Sequence, residues 1–349
     1  MNIIEHATLE TLYSTIKEEK LFGRWIRIED IEPLIKNHAT HFSVVQIGFS
    51  EENRPIYKFS IGSGKKKILI WSQMHGNEAT GTKAVFDLLN MLKNTEEAIS
   101  STILKECTLE IIPMLNPDGS ERFTRVNANE VDLNRDAVAL EAKESTLLRK
   151  TLDDFNPTYC FNLHDQRTIF GVENTDNPAT ISFLAPSEEE SRALTSGRKL
   201  TMNVIVAMNA LLQQVIPNHV GRYTDEFYPT ATGDTFQKLG YNTILIEAGH
   251  YKNDYDREEV RKYNYYALLQ GIYHIATASN FEEYEPYFEI PNNDKSFLDV
   301  IHRNPNLKDD IGYQYEYKII NSTLVSSLVK HQKGDLPGHK GHSEIVFES

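Results

Sequence analysis

His75 and Glu78 lie three residues apart, directly after an apolar run at residues 68–72 that predicts a β-strand. In open α/β sheets, ligands bind beyond the carboxyl ends of strands, so reactive side chains are expected at this position. Across one turn of the helix predicted to follow, an imidazole and a carboxylate can point at the same spot, and both form bonds of ~2.0 to 2.2 Å to zinc. Taken alone, a surface pair at a helix start is the better explanation, because this spacing is common by chance.

A second histidine occupies the same kind of position. His164 follows the apolar run at residues 159–163, again at the carboxyl end of a predicted strand. Two histidines and one glutamate leave the fourth zinc position to water, as in catalytic rather than structural zinc sites. We therefore predict that His75, Glu78 and His164 bind one zinc ion per chain. A histidine of the core or rim is the alternative explanation for His164.

An arginine-containing loop follows the strand predicted before residue 116. It holds Arg122, Arg125 and Arg135, although the whole chain has 36 Lys+Arg against 50 Asp+Glu and a formal net charge of −14. A guanidinium binds a carboxylate through two hydrogen bonds and can polarise a carbonyl, so these arginines predict a substrate with a free carboxylate and a scissile amide. Ion pairs to Asp132 and Asp136 are the alternative explanation.

Glu247 follows a further strand-like run at residues 242–246 and precedes the small residues Ala248 and Gly249. A carboxylate at such a strand end can act as the general base toward a water whose pKa zinc lowers to ~7. Partnership with a buried arginine is the alternative role for this glutamate.

Together these residues resemble the zinc metallocarboxypeptidase family, the superfamily of carboxypeptidase A. The resemblance rests on His75-Gly76-Asn77-Glu78, Asn116-Pro117-Asp118-Gly119 and Val131-Asp132-Leu133-Asn134-Arg135, followed in family order by His164 and Glu247. It covers residues 42–278 and implies a cytoplasmic member of bacterial type. It also implies a zinc-dependent peptidase that hydrolyses the C-terminal amide bond of peptides.

The resemblance implies a role for each polar residue. Glu247 is then the general base, and Arg125 stabilises the negative oxygen that forms at the amide carbon. Asn134 and Arg135 hold the terminal carboxylate of the substrate and fix its register.

Two features of the substrate site are less well defined by the resemblance. The family places a mobile tyrosine over the substrate, and both Tyr223 and Tyr228 lie in the corresponding stretch, of which we favour Tyr228. The specificity pocket is expected at residues 230–235, where Asp234 favours a basic substrate side chain unless it only caps a turn. Asp165 follows His164 where many carboxypeptidases have serine, which leaves the more distant subsites undefined.

The elements that must position these residues form an α/β pattern. Strand-like runs at residues 42–47, 56–61, 68–72, 109–115, 159–163, 181–185 and 242–246 alternate with helical periodicity at 84–92, 139–152, 188–214 and 257–278. This alternation, with the resemblance, predicts a mixed, mostly parallel sheet of about eight strands sandwiched by helices. Two short helices are expected before it, within residues 1–40.

The chain divides, by this interpretation, into a catalytic domain at residues 1–279 and a C-terminal appendage at 280–349. In the appendage, loops are expected at 282–285, 292–294 and 304–306, and strands only within 311–328. The stretch His339-Lys340-Gly341-His342 predicts a mobile tail or an adventitious metal site.

Composition restricts the partners. An acidic chain repels phosphate backbones and anionic lipid, so neither nucleic acid nor membrane is expected as the main partner. The start of the chain lacks the pattern of a secretory signal, and we expect a cytoplasmic location. Cys107 and Cys160 lie among apolar neighbours and are expected to be buried thiols. Oligomeric state is not predicted.

Three alternatives remain open at this stage. An acyl-amino-acid deacylase of the aspartoacylase or succinylglutamate desuccinylase type shares His-Gly-Asn-Glu and Asp-Leu-Asn-Arg, although the turn at Asn116–Gly119 favours the peptidase. A carboxypeptidase that cleaves muropeptides is a second. A non-catalytic binding protein on the same scaffold is a third.

Overall fold

Helices and strands alternate along most of the chain in the computed structural model, which describes residues 1–304 and 309–347. The helices are α1 (His6–Ile16), α2 (Ile28–His38), α3 (Thr80–Leu92), α4 (Ala98–Glu106), α5 (Pro117–Arg122), α6 (Lys143–Phe155), α7 (Ser196–Val215), α8 (Thr232–Lys238) and α9 (Glu258–Thr277). The first nine strands are β1 (Ser43–Phe49), β2 (Pro55–Gly62), β3 (Lys66–Ser72), β4 (Cys107–Ile112), β5 (Tyr159–Asp165), β6 (Gly171–Val172), β7 (Ile181–Leu184), β8 (Val220–Arg222) and β9 (Asn242–Ala248). They are followed by β10 (Asn293–Asp294), β11 (Phe297–Arg303), β12 (Asp310–Ile320), β13 (Thr323–Gly334) and β14 (Lys340–Val346).

Eight strands form one mixed sheet in the order β1-β2-β4-β3-β5-β9-β7-β8. Its centre, β4-β3-β5-β9, is parallel, whereas β1, β2 and β7 join it through antiparallel pairs. The predicted mixed, mostly parallel sheet of about eight strands sandwiched by helices is therefore confirmed. Because the four central strands share one direction, their carboxyl ends open on the same edge.

Helices cover both faces of this sheet, as the alternation of β3 shows. Ile68 and Ile70 pack into a large apolar core with α1, α2, α3, α7 and α9. Leu69 and Trp71 point to the opposite face and pack into a smaller core with α6 and Phe236 of α8. A strand buried on both faces is a continuous apolar run, and β3 has that sequence.

The C-terminal part differs from the sequence-based expectation. Strands β11 to β14 form a separate sheet in the order β13-β12-β11-β14, so the prediction of strands only within 311–328 is wrong for β11 and β14. It is also wrong for β10, which lies in the loop predicted at 292–294 and pairs with β6. The mobile tail expected at 339–342 is also wrong, because β14 pairs in parallel with β11 and the ring of His342 stacks on Phe297 at 4.7 Å. Residues 305 and 306 of one predicted loop lie outside the described residues.

One helix boundary differs for a local reason. The predicted helix at 188–214 begins only at Ser196, because Thr195 caps it by accepting a hydrogen bond from the Arg198 amide at 3.2 Å. Glu188 in turn accepts from the Thr195 hydroxyl at 2.5 Å, which holds the preceding segment as a loop.

Cys107 and Cys160 are buried and free, as expected. In residues 1–304 and 309–347 no helix combines the length and apolarity needed to span a bilayer.

Candidate active site

The candidate site lies beyond the carboxyl ends of three neighbouring strands. Strand β3 ends at Ser72, beside Leu163 of β5, and His164 of β5 lies beside Glu247 of β9. His75 and Glu78 occupy the turn between β3 and α3. The parallel register therefore brings together four polar residues that are far apart in sequence.

The nitrogen and oxygen atoms of His75, Glu78 and His164 converge on one point. Nδ1 of His75 lies 2.8 Å from Oε1 of Glu78, and Nδ1 of His164 lies 2.9 Å from Oε2 of the same carboxylate. The two Nδ1 atoms are 3.1 Å apart. All three side chains are buried, and their donor atoms lie within 4.8 Å of one another. Three buried side chains whose potential ligand atoms converge in this way fit a tetrahedral zinc site with the fourth position open.

The pKa shifts of Glu78 and His164 fit a divalent cation, whereas that of His75 does not. Burial would lower the pKa of His75, but the charge of Glu78 and the hydrogen bond with Asp132 outweigh it and raise that pKa. Burial alone would raise the pKa of Glu78, but His75 and the hydrogen bond from His164 outweigh it and hold that pKa well below its usual range. Burial lowers the pKa of His164, against the opposing effect of Glu78. Neutral imidazole and ionised carboxylate are the forms that bind metal.

The two rings differ in what they contact on the side away from the cluster. Nε2 of His75 lies 3.1 Å from Oδ1 of Asp132, whereas Nε2 of His164 is buried and has no partner among the described residues. Burial would raise the pKa of Asp132, but the hydrogen bond and charge of His75 lower it strongly. A carboxylate behind a histidine fixes its tautomer and strengthens it as a ligand. The sequence analysis gives Asp132 a place in the motif at residues 131–135 and an ion-pair role, but no role in supporting a ligand.

Arg125 reaches into the same cluster. Its Nε donates to Asp132 Oδ2 at 3.0 Å, and its Nη1 donates to Glu78 Oε1 at 3.3 Å. The ion pair considered as the alternative for this loop is therefore present for Arg125. The side chain is still 45% exposed, so one edge of the guanidinium faces the cleft.

Glu247 faces the cleft from the neighbouring strand. Burial raises its pKa well above the usual range, and the charges of Glu78 and Asp165 act in the same direction. Arg257, the buried arginine nearby, instead pairs with Asp165 at 3.1 Å. A carboxyl with a raised pKa can hold a proton taken from water, which is what a general base must do.

A cavity of about 400 Å³ connects these groups to Asn134 and Arg135. Arg135 donates to the backbone oxygen of Asn134 at 2.8 Å, and no carboxylate oxygen of the described residues lies within 4.0 Å of its guanidinium. The Asn134 side-chain oxygen accepts from the Thr232 amide at 3.1 Å, which joins this segment to α8. A cation in a cleft without a protein counter-ion can bind an anion of the substrate.

Both candidate tyrosines line this cavity. Tyr228 is 47% exposed, and the Arg135 guanidinium lies 5.5 Å from the centre of its ring. Tyr223 is less exposed and packs edge-on against Phe170 at 5.3 Å. Tyr228 is therefore the freer of the two.

Asp234 lines the same cavity from α8, and burial raises its pKa to about 6. Its Oδ1 accepts from the Tyr228 amide at 3.1 Å, so it makes the turn contact that was the alternative to substrate recognition.

Asn162 also lines the cavity, from β5, two residues before His164, with its amide buried and without a partner among the described residues. Strand alternation places Asn162 on the same face of β5 as His164, and this could be predicted from the sequence. The absence of a hydrogen-bond partner for its amide among the described residues could not be predicted from the sequence.

Comparisons with known proteins find similarity to zinc carboxypeptidases. Residues 28–195 match the family model Peptidase_M14, described as zinc carboxypeptidase. A probable carboxypeptidase 2 from Trichophyton verrucosum is 28% identical over 193 residues, which are 53% of this chain and 34% of that protein. Carboxypeptidase SOL1 from Arabidopsis thaliana is 25% identical over 190 residues, 48% of this chain and 39% of that protein. The chain thus covers about a third of the length of these curated relatives.

Solved structures share the fold. A metallo-carboxypeptidase from Burkholderia cenocepacia superposes with a TM-score of 0.57 at 19% identity, over 71% of this chain and 68% of that one. Carboxypeptidase A from Helicoverpa armigera gives a TM-score of 0.57 at 17% identity, over 78% and 80% of the two chains.

Proposed function

We propose that the chain is a zinc-dependent enzyme that releases the C-terminal residue of peptides, because residues 28–195 match the zinc carboxypeptidase family Peptidase_M14. One observation carries the proposal. Three metal-binding side chains and a protonatable glutamate, Glu247, meet in one cavity with Arg135, an arginine that has no carboxylate partner among the described residues.

The metal-binding residues in this proposal are His75, Glu78 and His164. Zinc held there supplies a Lewis acid that polarises the amide carbonyl and lowers the pKa of water. Asp132 supports His75 from behind, and the Asp165 amide donates to Glu78 Oε2 at 3.0 Å. These contacts fix the orientation of the ligands before a substrate arrives.

Substrate binding is assigned to Arg135 and Asn134. The Arg135 guanidinium can donate two hydrogen bonds to a terminal carboxylate, and the Asn134 side-chain amide adds further hydrogen bonds. Anchoring the terminus sets which amide reaches the catalytic groups, so only the last residue is removed. Tyr228, stacked near Arg135, covers the bound terminus.

Proton transfer is assigned to Glu247. Its carboxylate takes a proton from the attacking water, holds it because burial and its neighbours raise the pKa, and donates it to the amine that leaves. The exposed edge of Arg125 stabilises the negative oxygen at the amide carbon.

Asp234 is assigned to specificity. It lines the same cavity as the apolar residues Leu245 and Pro186, a combination that suits a substrate side chain with an alkyl stem and a cationic end. Lysine and arginine are therefore the proposed terminal residues.

The reaction class can be tested on one mixture. Peptides, muropeptides and N-acyl amino acids are incubated with the full chain, with and without a zinc chelator, and products are identified by mass spectrometry. We expect loss of single C-terminal residues from peptides, abolished by the chelator. Release of acyl groups from N-acyl amino acids with intact peptides would replace the proposal by a deacylase, and no product from any compound would favour a binding protein.

A further inference from the structure

Arg167 is a second arginine of the cleft without a protein counter-ion. It lines the catalytic cavity, is exposed, and follows His164 by three residues. No carboxylate oxygen of residues 1–304 and 309–347 lies within 4.0 Å of its guanidinium. Arg125, by contrast, is paired with Glu78 and Asp132.

The C-terminal sheet fixes Arg167 in place. Gln314 of β12 accepts a hydrogen bond from Arg167 Nη2 at 2.5 Å, although 147 residues separate them in sequence. Gln314 is 8% exposed, so its side chain is held within the packed surface between the two parts of the chain. A fixed guanidinium loses less conformational freedom when it binds an anion.

The residues after Arg167 are held by the same sheet. The Thr168 oxygen lies 2.8 Å from Nε2 of His342, and the Ile169 oxygen accepts from the Phe297 amide at 3.1 Å. Three consecutive residues of the loop that leaves the zinc-ligand strand are thus bonded to β11, β12 and β14. The C-terminal sheet therefore shapes one wall of the cleft.

A second cavity continues the cleft on this side. Its volume is about 580 Å³, and it shares Phe170, Tyr223 and Thr224 with the catalytic cavity. It adds Arg222 and Lys295, neither of which has a carboxylate within 4.0 Å among the described residues.

The acidic residue of the second cavity does not cancel this charge. Asp225 in the second cavity is paired with Arg192 at 3.3 Å and with Arg198 at 2.7 Å. Glu226 on the rim of the catalytic cavity is exposed, where salt and water screen it. The second cavity therefore has an excess of cations, since Arg192, Arg222 and Lys295 line it with Asp225 alone. Such an excess in a chain of net charge −14 marks a place for an anionic group.

We propose that the cleft binds peptides with an acidic residue on the amino side of the scissile bond, and that Arg167 contacts its carboxylate. Gln314 is the positioning residue that aims Arg167, which gives the C-terminal sheet a part in substrate selection. This inference rests on the proposed function, since Arg135 takes the terminal carboxylate and Arg167 takes a second one.

The test uses peptides of equal length and identical C-terminal residue, with Glu or Gln at one of the three positions before the scissile bond. For the full zinc-loaded chain we expect kcat/KM to favour Glu over Gln about fivefold to tenfold at one position or more, less so at high salt. Arg167→Gln should bring this ratio to about one, whereas Arg167→Lys should keep part of it. Arg149→Gln, which removes the same charge from a surface pair with Asp153, is the matched control and should keep the full ratio.

Two further measurements separate selection from folding and from turnover. Gln314→Leu should lower the Glu-to-Gln ratio without changing the preference for the C-terminal residue itself. Calorimetric binding of the same peptides to Glu247→Gln should show the Glu preference without hydrolysis.

The outcomes are distinct. Equal rates for Glu and Gln peptides, or an unchanged ratio in Arg167→Gln, would overturn the inference and leave the peptidase intact. Hydrolysis of none of the peptides would contradict the proposed function and this inference together.

Discussion

Nε2 of His75 lies 3.1 Å from Oδ1 of Asp132, while Nδ1 of the same ring faces Glu78 at 2.8 Å. The imidazole thus lies between two carboxylates. Its Nδ1 faces the candidate zinc ligands, and its Nε2 faces Asp132. This arrangement makes Asp132 a supporting residue of the site, although it donates no atom to the cluster.

Replacing Asp132 should weaken zinc binding. Asp132→Asn keeps the size of the side chain but removes the charge behind His75, and we expect zinc affinity to fall ~10- to 100-fold. Competition with a chelating dye measures this affinity. Asp153→Asn on the surface of α6 removes the same charge elsewhere and should leave the affinity unchanged; equal affinities in both variants would show that Asp132 does not support the ligand.

Replacing Glu247 should separate metal binding from catalysis. Glu247→Gln retains the shape of the side chain but cannot carry a proton, so we expect full zinc content and a loss of ~10²- to 10⁴-fold in kcat. Elemental analysis and initial rates on one preparation give both values. A variant that retained its rate would exclude Glu247 as the base, and one that lost zinc would place it among the ligands.

The preference for a basic terminal residue should depend on pH. Burial raises the pKa of Asp234 to about 6, so the carboxyl is neutral below that pH and ionised above it. We expect the ratio of rates for C-terminal Lys over Leu to rise as pH increases through about 6. In Asp234→Asn, which keeps an oxygen for the Tyr228 amide, this ratio should no longer change with pH. A pH-independent ratio in the unmodified chain would leave Asp234 only its turn contact.

Acid should destabilise the fold through His38. This histidine packs among Phe42, Phe59 and Phe86, both ring nitrogens lack partners within the described residues, and burial lowers its pKa to about 3. An unfolded chain takes up that proton near pH ~6.5, so between about 6.5 and 3 the unfolded state binds more protons and stability falls as pH decreases.

Urea unfolding at several pH values tests this. The loss of stability should approach ~1.4 kcal/mol per pH unit for this one group. His38→Phe should reduce the slope without abolishing it, because burial also lowers the pKa of His274 to about 4. The exposed His41→Gln should leave the slope unchanged, and an unchanged slope in His38→Phe would contradict the assignment.

The sequence was most informative where local pattern and topology agree. Apolar runs before His75, His164 and Glu247 predict strands, and parallel strands present their carboxyl ends at one edge of a sheet. The sequence alone therefore predicts that these three residues lie close together. The sheet was predicted for the same reason.

Contacts between distant parts of the chain could not be predicted. Gln314 meets Arg167 across 147 residues, and β11 pairs with β14 around an intervening hairpin. Nothing local in Phe297–Arg303 specifies that partner. The unpaired state of Arg135 and Arg167 is likewise a property of tertiary packing, since acidic residues lie close to both in sequence.

The most direct test of the central claim is a zinc titration of the metal-free full chain, in which release of the C-terminal lysine from a defined peptide is measured by mass spectrometry. The account predicts a rate that rises with added zinc and saturates at one ion per chain, and no zinc-dependent rate in His164→Ala. A metal-free chain that hydrolyses the peptide at the full rate, or a chain that binds one zinc ion and releases no terminal residue from any peptide, would contradict it.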